Sequence, residues 1–271
     1  LETPFKFVRR TAVRAARNLL ASIPFETALL ISRELLAAQG FGCGADITTS
    51  GEVGIFNLVK APSPLLFDCG GHVGDYTALW LRKFPDGRAF VFEPAASHYS
   101  LLESRFSGNS SIRLFPNGLG AEDARLPLYK NRDVTGLASL SRRRLDHHGI
   151  VMDQSETVEI RKLDDMIAEL DVSVIDLLKV DVEGHELSVL QGAAKAIETG
   201  IIKLIQIEFG GCNLDTHTNL QDFFYFFKDR GLVMGLVQPR GRIIVLDRYR
   251  EFYEQYLTTN FVAGPRLALT T

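Results

Sequence analysis

The sequence predicts an α/β fold in which a mostly parallel sheet carries helices on both faces, and three observations lead there. From residue 52 onward short apolar segments alternate with helix-like ones, the alternation that builds such a sheet. Several of those segments are apolar almost throughout, as strands covered on both faces must be. One of them, 65–68, runs straight into a glycine-rich turn and then a helix. In chain order, residues 5–39 hold helix formers broken at Pro24, which predicts two short helices closed by Gly40, Gly42 and Gly44, an N-terminal helical cap over 1–51. The main domain, 52–271, has its clearest strands at 65–68, 88–92, 112–115, 175–181 and 202–209. Between the third and fourth lies an insertion, about 121–161, with possible strands at 125–129 and 157–161 around the polar run Arg142, Arg143 and Arg144. A connection that long reads as a functional loop or flap. A helix at 185–197 follows strand four, with Leu187, Leu190 and Ile197 as its buried stripe. Residues 219–230 form an aromatic helix, and 232–238 with 242–246 read as a hairpin turned at Pro239, Arg240 and Gly241.

Composition narrows the function classes. The 271 residues suffice to bury a core without a disulfide or metal staple. A net charge of −3 lacks the basic footprint of a nucleic-acid binder, so no nucleic-acid partner is expected. Cys43, Cys69 and Cys212 are odd in number and far apart, which implies neither a disulfide framework nor a zinc site. No apolar run approaches the roughly 18 residues of a bilayer span, and no signal-peptide pattern opens the sequence; the expectation is a soluble, cytoplasmic enzyme-sized chain. Lys6, Arg9, Arg10, Arg14 and Arg17 make residues 1–20 basic. They read as a solvated helical face packing on the domain, with a membrane-surface or transit helix as the alternative.

The chemistry concentrates at strand ends. Gly70, Gly71 and Gly74 directly after an apolar strand let backbone approach a ligand, and the helix behind them offers free N–H groups, so a nucleotide-like cofactor is expected there. The dinucleotide pattern G-x-G-x-x-G fails because Cys69 stands at its first glycine, which makes a nicotinamide cofactor the weaker alternative. Glu93, in Val91-Phe92-Glu93-Pro94, ends the second strand about 20 residues on, where a carboxylate accepts hydrogen bonds from ribose hydroxyls. Asn117 and Gly118 border the same crevice or form a plain turn. Strand four ends in Asp181-Val182-Glu183-Gly184-His185, and residues two apart on a strand share a side, so Asp181 and Glu183 face one crevice unless Glu183 only caps the next helix. Glu208 ends the neighbouring strand and reaches the crevice or serves as a structural acid. His147 and His148 read as solvated loop residues, and Phe223 to Phe227 as mostly core with some ring free to line a pocket.

In sequence order, Asp68 to Gly74, Phe92-Glu93-Pro94, Leu163-Asp164, Leu178 to Glu186, Val189 to Ala193, Ile205 to Phe209 and Asn260 to Ala263 together resemble the FkbM family of S-adenosylmethionine-dependent methyltransferases, over about residues 52–264. Gly136 to Leu140 resembles a further family segment, whereas Gly71 and His72 stand where the family's turn commonly has Ala and Asn. The resemblance implies a class I methyltransferase (Rossmann-like) fold with a seven-stranded sheet, mostly parallel with an antiparallel last strand, and O-methylation of a hydroxyl on a sugar, polyketide or related metabolite. The expected cofactor is S-adenosyl-L-methionine, held by Asp68, Gly70, Gly71, His72, Gly74, Glu93, Pro94, Asn117, Gly118 and Asp181. A base must lie within reach of the acceptor hydroxyl, and Asp181, Glu183, His185 and Glu208 are the candidates. No metal is assigned; a divalent ion on Asp181, Glu183 or Glu208 is the competing version. The expected partner is a small-molecule or glycan acceptor, with homo-oligomerisation open. A noncatalytic adenosine-binding protein is the remaining alternative.

Overall fold

A computed structural model describes residue 17 and residues 20–270. The first of the two N-terminal helices expected lies largely outside the described residues; the second is α1 (Phe25–Ala38), beginning right after Pro24. Then come β1 (Leu65–Cys69), α2 (Asp75–Lys83), β2 (Arg88–Phe92), α3 (Ala96–Arg105), β3 (Ile112–Phe115), β4 (Gly118–Gly120), β5 (Ala124–Lys130) and β6 (Gln154–Lys162). The chain continues through α4 (Leu163–Glu169), β7 (Leu177–Val180), α5 (Glu186–Gly192), α6 (Ala194–Glu198), β8 (Ile205–Phe209), α7 (Cys212–Thr216) and α8 (Leu220–Lys228). It closes with β9 (Val233–Val237), β10 (Ile243–Val245), β11 (Thr259–Gly264) and α9 (Arg266–Leu269).

The main sheet has eight strands in the order β10-β9-β11-β8-β7-β1-β2-β3. Its half from β8 to β3 is parallel, and β11 enters antiparallel between β8 and β9. The count of seven is therefore corrected by β10: the turn at 239–241 brings Ile243–Val245 back onto β9 as one more edge strand, so the expected hairpin is real and adds to the sheet. Successive residues of β1 face opposite layers. Phe67 joins Phe90, Leu178, Ile207 and Phe209 beneath α4, α5 and α8, whereas Leu66 joins Val91, Leu177 and Val262 beneath α2, where Phe56, Tyr76 and Trp80 pack edge to face.

The expected helix 185–197 is two helices, broken at Ala193. Gly192 lies so close to β4 that a Cβ would stand 1.9 Å from the Gly120 carbonyl oxygen, and the helix yields at that contact. The insertion supplies both expected strands, and they form a separate sheet, β4-β6-β5, whose apolar side carries Leu128, Val158 and Ile160. Of the aromatic run, Phe223, Phe224 and Phe227 are core and Tyr225 is exposed. No residue of α1 is buried; Leu36 near its end packs against the core, and Phe41 in the segment that follows is part of it. Among the described residues no helix is long and apolar enough to cross a membrane.

This division has a measurable consequence. Trp80→Ala, at a fully buried ring between Phe56 and Phe84, is expected to cost about 3–5 kcal/mol in chemical denaturation. Leu35→Ala on the exposed side of α1 should stay within about 0.5 kcal/mol of the parent.

Candidate active site

The C-terminal ends of β1, β2, β7 and β8 open into one cavity of about 810 Å³, whose opposite wall is the small sheet and the segment 131–150. The glycine turn after β1 forms its floor. Gly70 has a φ of +86°, and a Cβ there would lie 1.9 Å from the Asp181 carbonyl oxygen, so only glycine lets the end of β1 approach the end of β7 this closely. Gly70 and Gly71 both donate their N–H to the Phe92 carbonyl oxygen, at 2.9 and 3.2 Å. Glu93 completes the junction: its Oε2 accepts the His72 N–H at 2.8 Å and its Oε1 the Ala95 N–H at 2.9 Å. His98 accepts the Thr135 N–H at Nε2, which leaves the proton on Nδ1, 3.6 Å from Glu93 Oε1. His72 stands edge-on to His98, its Nε2 is buried without a partner, and burial together with His98 holds its pKa below the ordinary histidine value.

The other half of the cavity is acidic. One carboxylate oxygen each from Asp181, Glu183 and Glu208 lie within 4.8 Å of one another. Like charges so close cannot all ionise freely. Burial, reinforced by Asp181, pushes the Glu183 carboxyl up to about 8, and Glu208 is raised well above the usual range by burial, Asp181 and Glu183. Two cations answer this charge. Lys179, buried at the end of β7, donates to Asp181 Oδ2 at 2.9 Å; burial alone would lower its pKa, but Asp181, Asp68 and Glu52 hold the ammonium above the ordinary lysine value. Arg143, from the insertion, reaches Glu183 Oε2 at 2.6 Å and Asp215 Oδ2 at 3.4 Å. The same segment docks through Ser139 Oγ, which donates to the Glu183 carbonyl, and Ser141 Oγ, which shares a hydrogen bond with His185 Nε2 at 3.0 Å. Burial lowers the His185 pKa.

A family model for the methyltransferase FkbM domain matches residues 68–231, well over half of the chain. The chain belongs to the FkbM methyltransferase family. Among curated relatives it is 32% identical over 150 residues to Methyltransferase 1 of Beauveria bassiana, covering 49% of this chain and 60% of that one. It is 29% identical to Methyltransferase sdnD of Sordaria araneosa (51% and 63% covered) and 25% identical to the 2-O-methyltransferase NoeI of Sinorhizobium fredii (53% and 63%). The chain thus spans roughly three fifths of the length of these relatives. The crystal structure of Methyltransferase FkbM from Methylobacillus flagellatus aligns at 19% identity and a TM-score of 0.48, over 76% of this chain and 45% of that one.

Within this FkbM methyltransferase domain the cavity gathers most of the residues expected from sequence. Asp181, Glu183, His185 and Glu208 all line it, as do Gly70, His72, Glu93, Pro94 and Gly118. Asp68, Gly71, Gly74 and Asn117 do not. Asp68 is 1% exposed and turns away from the cavity, accepting the Thr77 hydroxyl at 2.7 Å with Lys179 3.9 Å away; it braces the strand end. Asn117 is buried, with its amide on the Gly118 carbonyl oxygen. Gly71 and Gly74 make room for Val91 and Phe106, respectively. His147 and His148 are exposed, outside the cavity.

The helix-capping role weighed for Glu183 is not filled, since no side chain caps α5; Glu186 Oε1 instead accepts the Val182 and Gly184 N–H groups of the turn before the helix, at 3.1 and 3.0 Å. Sequence reasoning did not single out Glu186, Lys179 or the pairing of Arg143. Lys179 had a signal, since it stands two residues before Asp181 on the same side of a strand. Arg143 had none, because its partner Glu183 is 40 residues away.

The raised carboxyls make stability pH-dependent. Glu183 at about 8 and Glu186 at about 7 keep protons in the folded chain that the unfolded chain releases near 4.5. Their contribution is therefore fully present below about 4.5, declines as pH rises, and is gone above about 8. Thermal unfolding across pH 5–9 should show this decline, and Glu183→Gln, which has no proton to lose there, should show a shallower one. Parallel curves for parent and variant would contradict the assignment.

Proposed function

We propose that the chain is an S-adenosyl-L-methionine-dependent O-methyltransferase that acts on a hydroxyl of a sugar, polyketide or related small metabolite. The observation that carries this reading is the pairing, in one cavity, of a close-approach glycine turn and Glu93 on one side with the Asp181, Glu183 and Glu208 carboxylates on the other. Bound S-adenosylmethionine supplies an electrophilic methyl group on a sulfonium. The residues on the turn side suit that cofactor. Each Glu93 oxygen accepts one backbone N–H and keeps a lone pair for a ribose hydroxyl. Gly70 lets the turn sit against the end of β7, Pro94 and Gly118 flank the cofactor, and the unpartnered His72 Nε2 offers a polar contact. That NoeI is a 2-O-methyltransferase supports oxygen as the accepting atom.

On the acidic side Asp181 serves as the base. Lys179 engages Oδ2 and fixes the carboxylate's orientation, which leaves Oδ1 for the acceptor hydroxyl. The hydroxyl becomes a competent nucleophile as its proton passes to that oxygen, and alignment within the cavity supplies much of the acceleration. Glu183 is held by Arg143 and is largely protonated at neutral pH, so it and Glu208 act as hydrogen-bonding groups for further hydroxyls. His185, held by Ser141, lines the same side.

A second reading is favoured by the 4.8 Å clustering of three carboxylates, a donor set that suits a hard divalent cation. Activity lost to a chelator and restored by magnesium would select it; unchanged activity would reject it.

Calorimetric titration tests the proposal, with S-adenosylmethionine and S-adenosylhomocysteine both expected to bind the folded chain. Binding of neither would overturn it. Glu93→Gln is expected to weaken binding roughly 10–100-fold. Asp181→Asn should leave binding within about twofold and lower turnover about 100-fold or more, as loss of a general base does. Normal turnover in Asp181→Asn would remove it from the role of base.

A further inference from the structure

The wall of the cavity contributed by the segment between β5 and β6 carries polar groups that methyl transfer leaves unused. Arg132 and Arg143, both from that segment, are the arginines in the wall, and no lysine among the described residues joins them. Arg143 is 9% exposed, yet it makes a single hydrogen bond among the described residues, from Nη1 to Glu183 Oε2. Its Nε is buried without a hydrogen-bond partner; Asp215 Oδ2 approaches to 3.4 Å and completes none. A guanidinium has five N–H donors, so most of the capacity of this one is open. Asn131 Oδ1, in the same wall, is buried and unpartnered too. Buried polar atoms without partners are few in folded proteins, and two on one segment that lines one cavity mark a wall completed by a ligand.

Charge narrows the kind of ligand. Asp181 is matched by Lys179, and Arg143 stands between Glu183 and Asp215. Arg132 is exposed and meets no acid among the described residues: its neighbour in sequence, Asp133, pairs with Lys130 at 3.4 Å. The loop that presents Arg132 is fixed, since the Ser97 hydroxyl donates to the Asp133 carbonyl and the Thr135 N–H donates to His98 Nε2. One guanidinium without a counter-charge and one buried with open donors suit an oxyanion, whose oxygens match the planar fork as no neutral group does. A neutral polyol would leave Arg132 uncompensated.

We propose that the methyl acceptor is a hydroxylated anion, a carboxylate or a phosphate ester, and that Arg143 and Arg132 hold its charged group while Asp181 faces its hydroxyl. This rests on the methyltransferase reading above and adds the charge of the acceptor to it.

Calorimetry of the full chain saturated with S-adenosylhomocysteine tests it on matched compounds: glucose, glucuronate and glucose phosphate, and glycerol, glycerate and glycerol phosphate. In at least one series an anionic member is expected to bind about tenfold or more tightly than its neutral parent, and the carboxylate and phosphate arms tell which oxyanion fits. In Arg143→Gln that ratio should fall to about one, and Arg143→Lys, which keeps the charge and loses the fork, should restore part of it. Arg132→Gln should lower it about threefold. A purely structural Arg143 would weaken neutral and anionic members alike and leave the ratio standing, which would overturn the proposal. Equal affinity within both series, or binding of no anion, would overturn it as well. Titration with S-adenosylhomocysteine alone separates the two readings. If it binds and no anion is preferred, only the acceptor inference falls; if it does not bind, the methyltransferase reading falls and the inference with it.

Discussion

The site is built around one buried cation. Parallel register sets Asp68 of β1 beside Lys179 of β7, and Lys179 beside Gln206 of β8, all on the sheet face that packs against α2. The Lys179 ammonium lies 2.9 Å from Asp181, 3.9 Å from Asp68 and over the Tyr76 ring, and it is also stabilised by Glu52. Around it runs a polar network. The Tyr76 hydroxyl donates to Gln206, whose amide in turn donates to Glu52 at 2.8 Å and to Asn260 at 3.3 Å. Without the ammonium, Asp68, Glu52 and Asp181 would be closely spaced acids with no compensating charge, an arrangement that costs several kcal/mol where it occurs in a protein interior. The cation thus holds the end of β7 against the end of β1, and in doing so aims Asp181 into the cavity.

The cavity divides its labour between two kinds of chemistry. On one side backbone amides and a single pinned carboxylate make a rigid surface suited to a cofactor of fixed shape. Its rigidity comes from stitching, since the glycine turn bonds to the Phe92 carbonyl oxygen and Glu93 bonds back to the turn. On the other side several ionisable groups lie close together and are tuned by burial. The insertion closes over this second side through Arg143, Ser139 and Ser141. The contacts that close over the acidic half therefore come from the part of the chain between β5 and β6.

Much of this was legible in the residues. The strands at 88–92 and 112–115 were placed at their observed ends because each apolar run is bounded by turn residues. The strands at 175–181 and 202–209 begin later than the apolar run suggests, because Ile175 and Ile202 pair only as an isolated bridge before the ladder starts. Other features depend on contacts that no local pattern encodes. The break of the 185–197 helix is set by β4 pressing on Gly192, the extra strand by the return of 243–245, and the inward turn of Asp68 by a lysine more than 100 residues away. Glu183 and Glu186 differ in role because a positive φ of 53° at Glu183 turns the backbone between them, and Glu186 then reaches back to the freed amides. The exposure of α1 was hidden for the same reason: an amphipathic pattern shows that a face wants covering, and says nothing of whether the rest of the chain covers it.

A crystal structure of the chain grown with S-adenosylhomocysteine probes the central claim most directly. The expected result is a ribose hydrogen-bonded to Glu93 and a sulfur facing Asp181 across the cavity, with the Lys179 to Asp181 contact intact. A nucleoside bound elsewhere, or a cavity filled by side chains with Glu93 untouched, would contradict it.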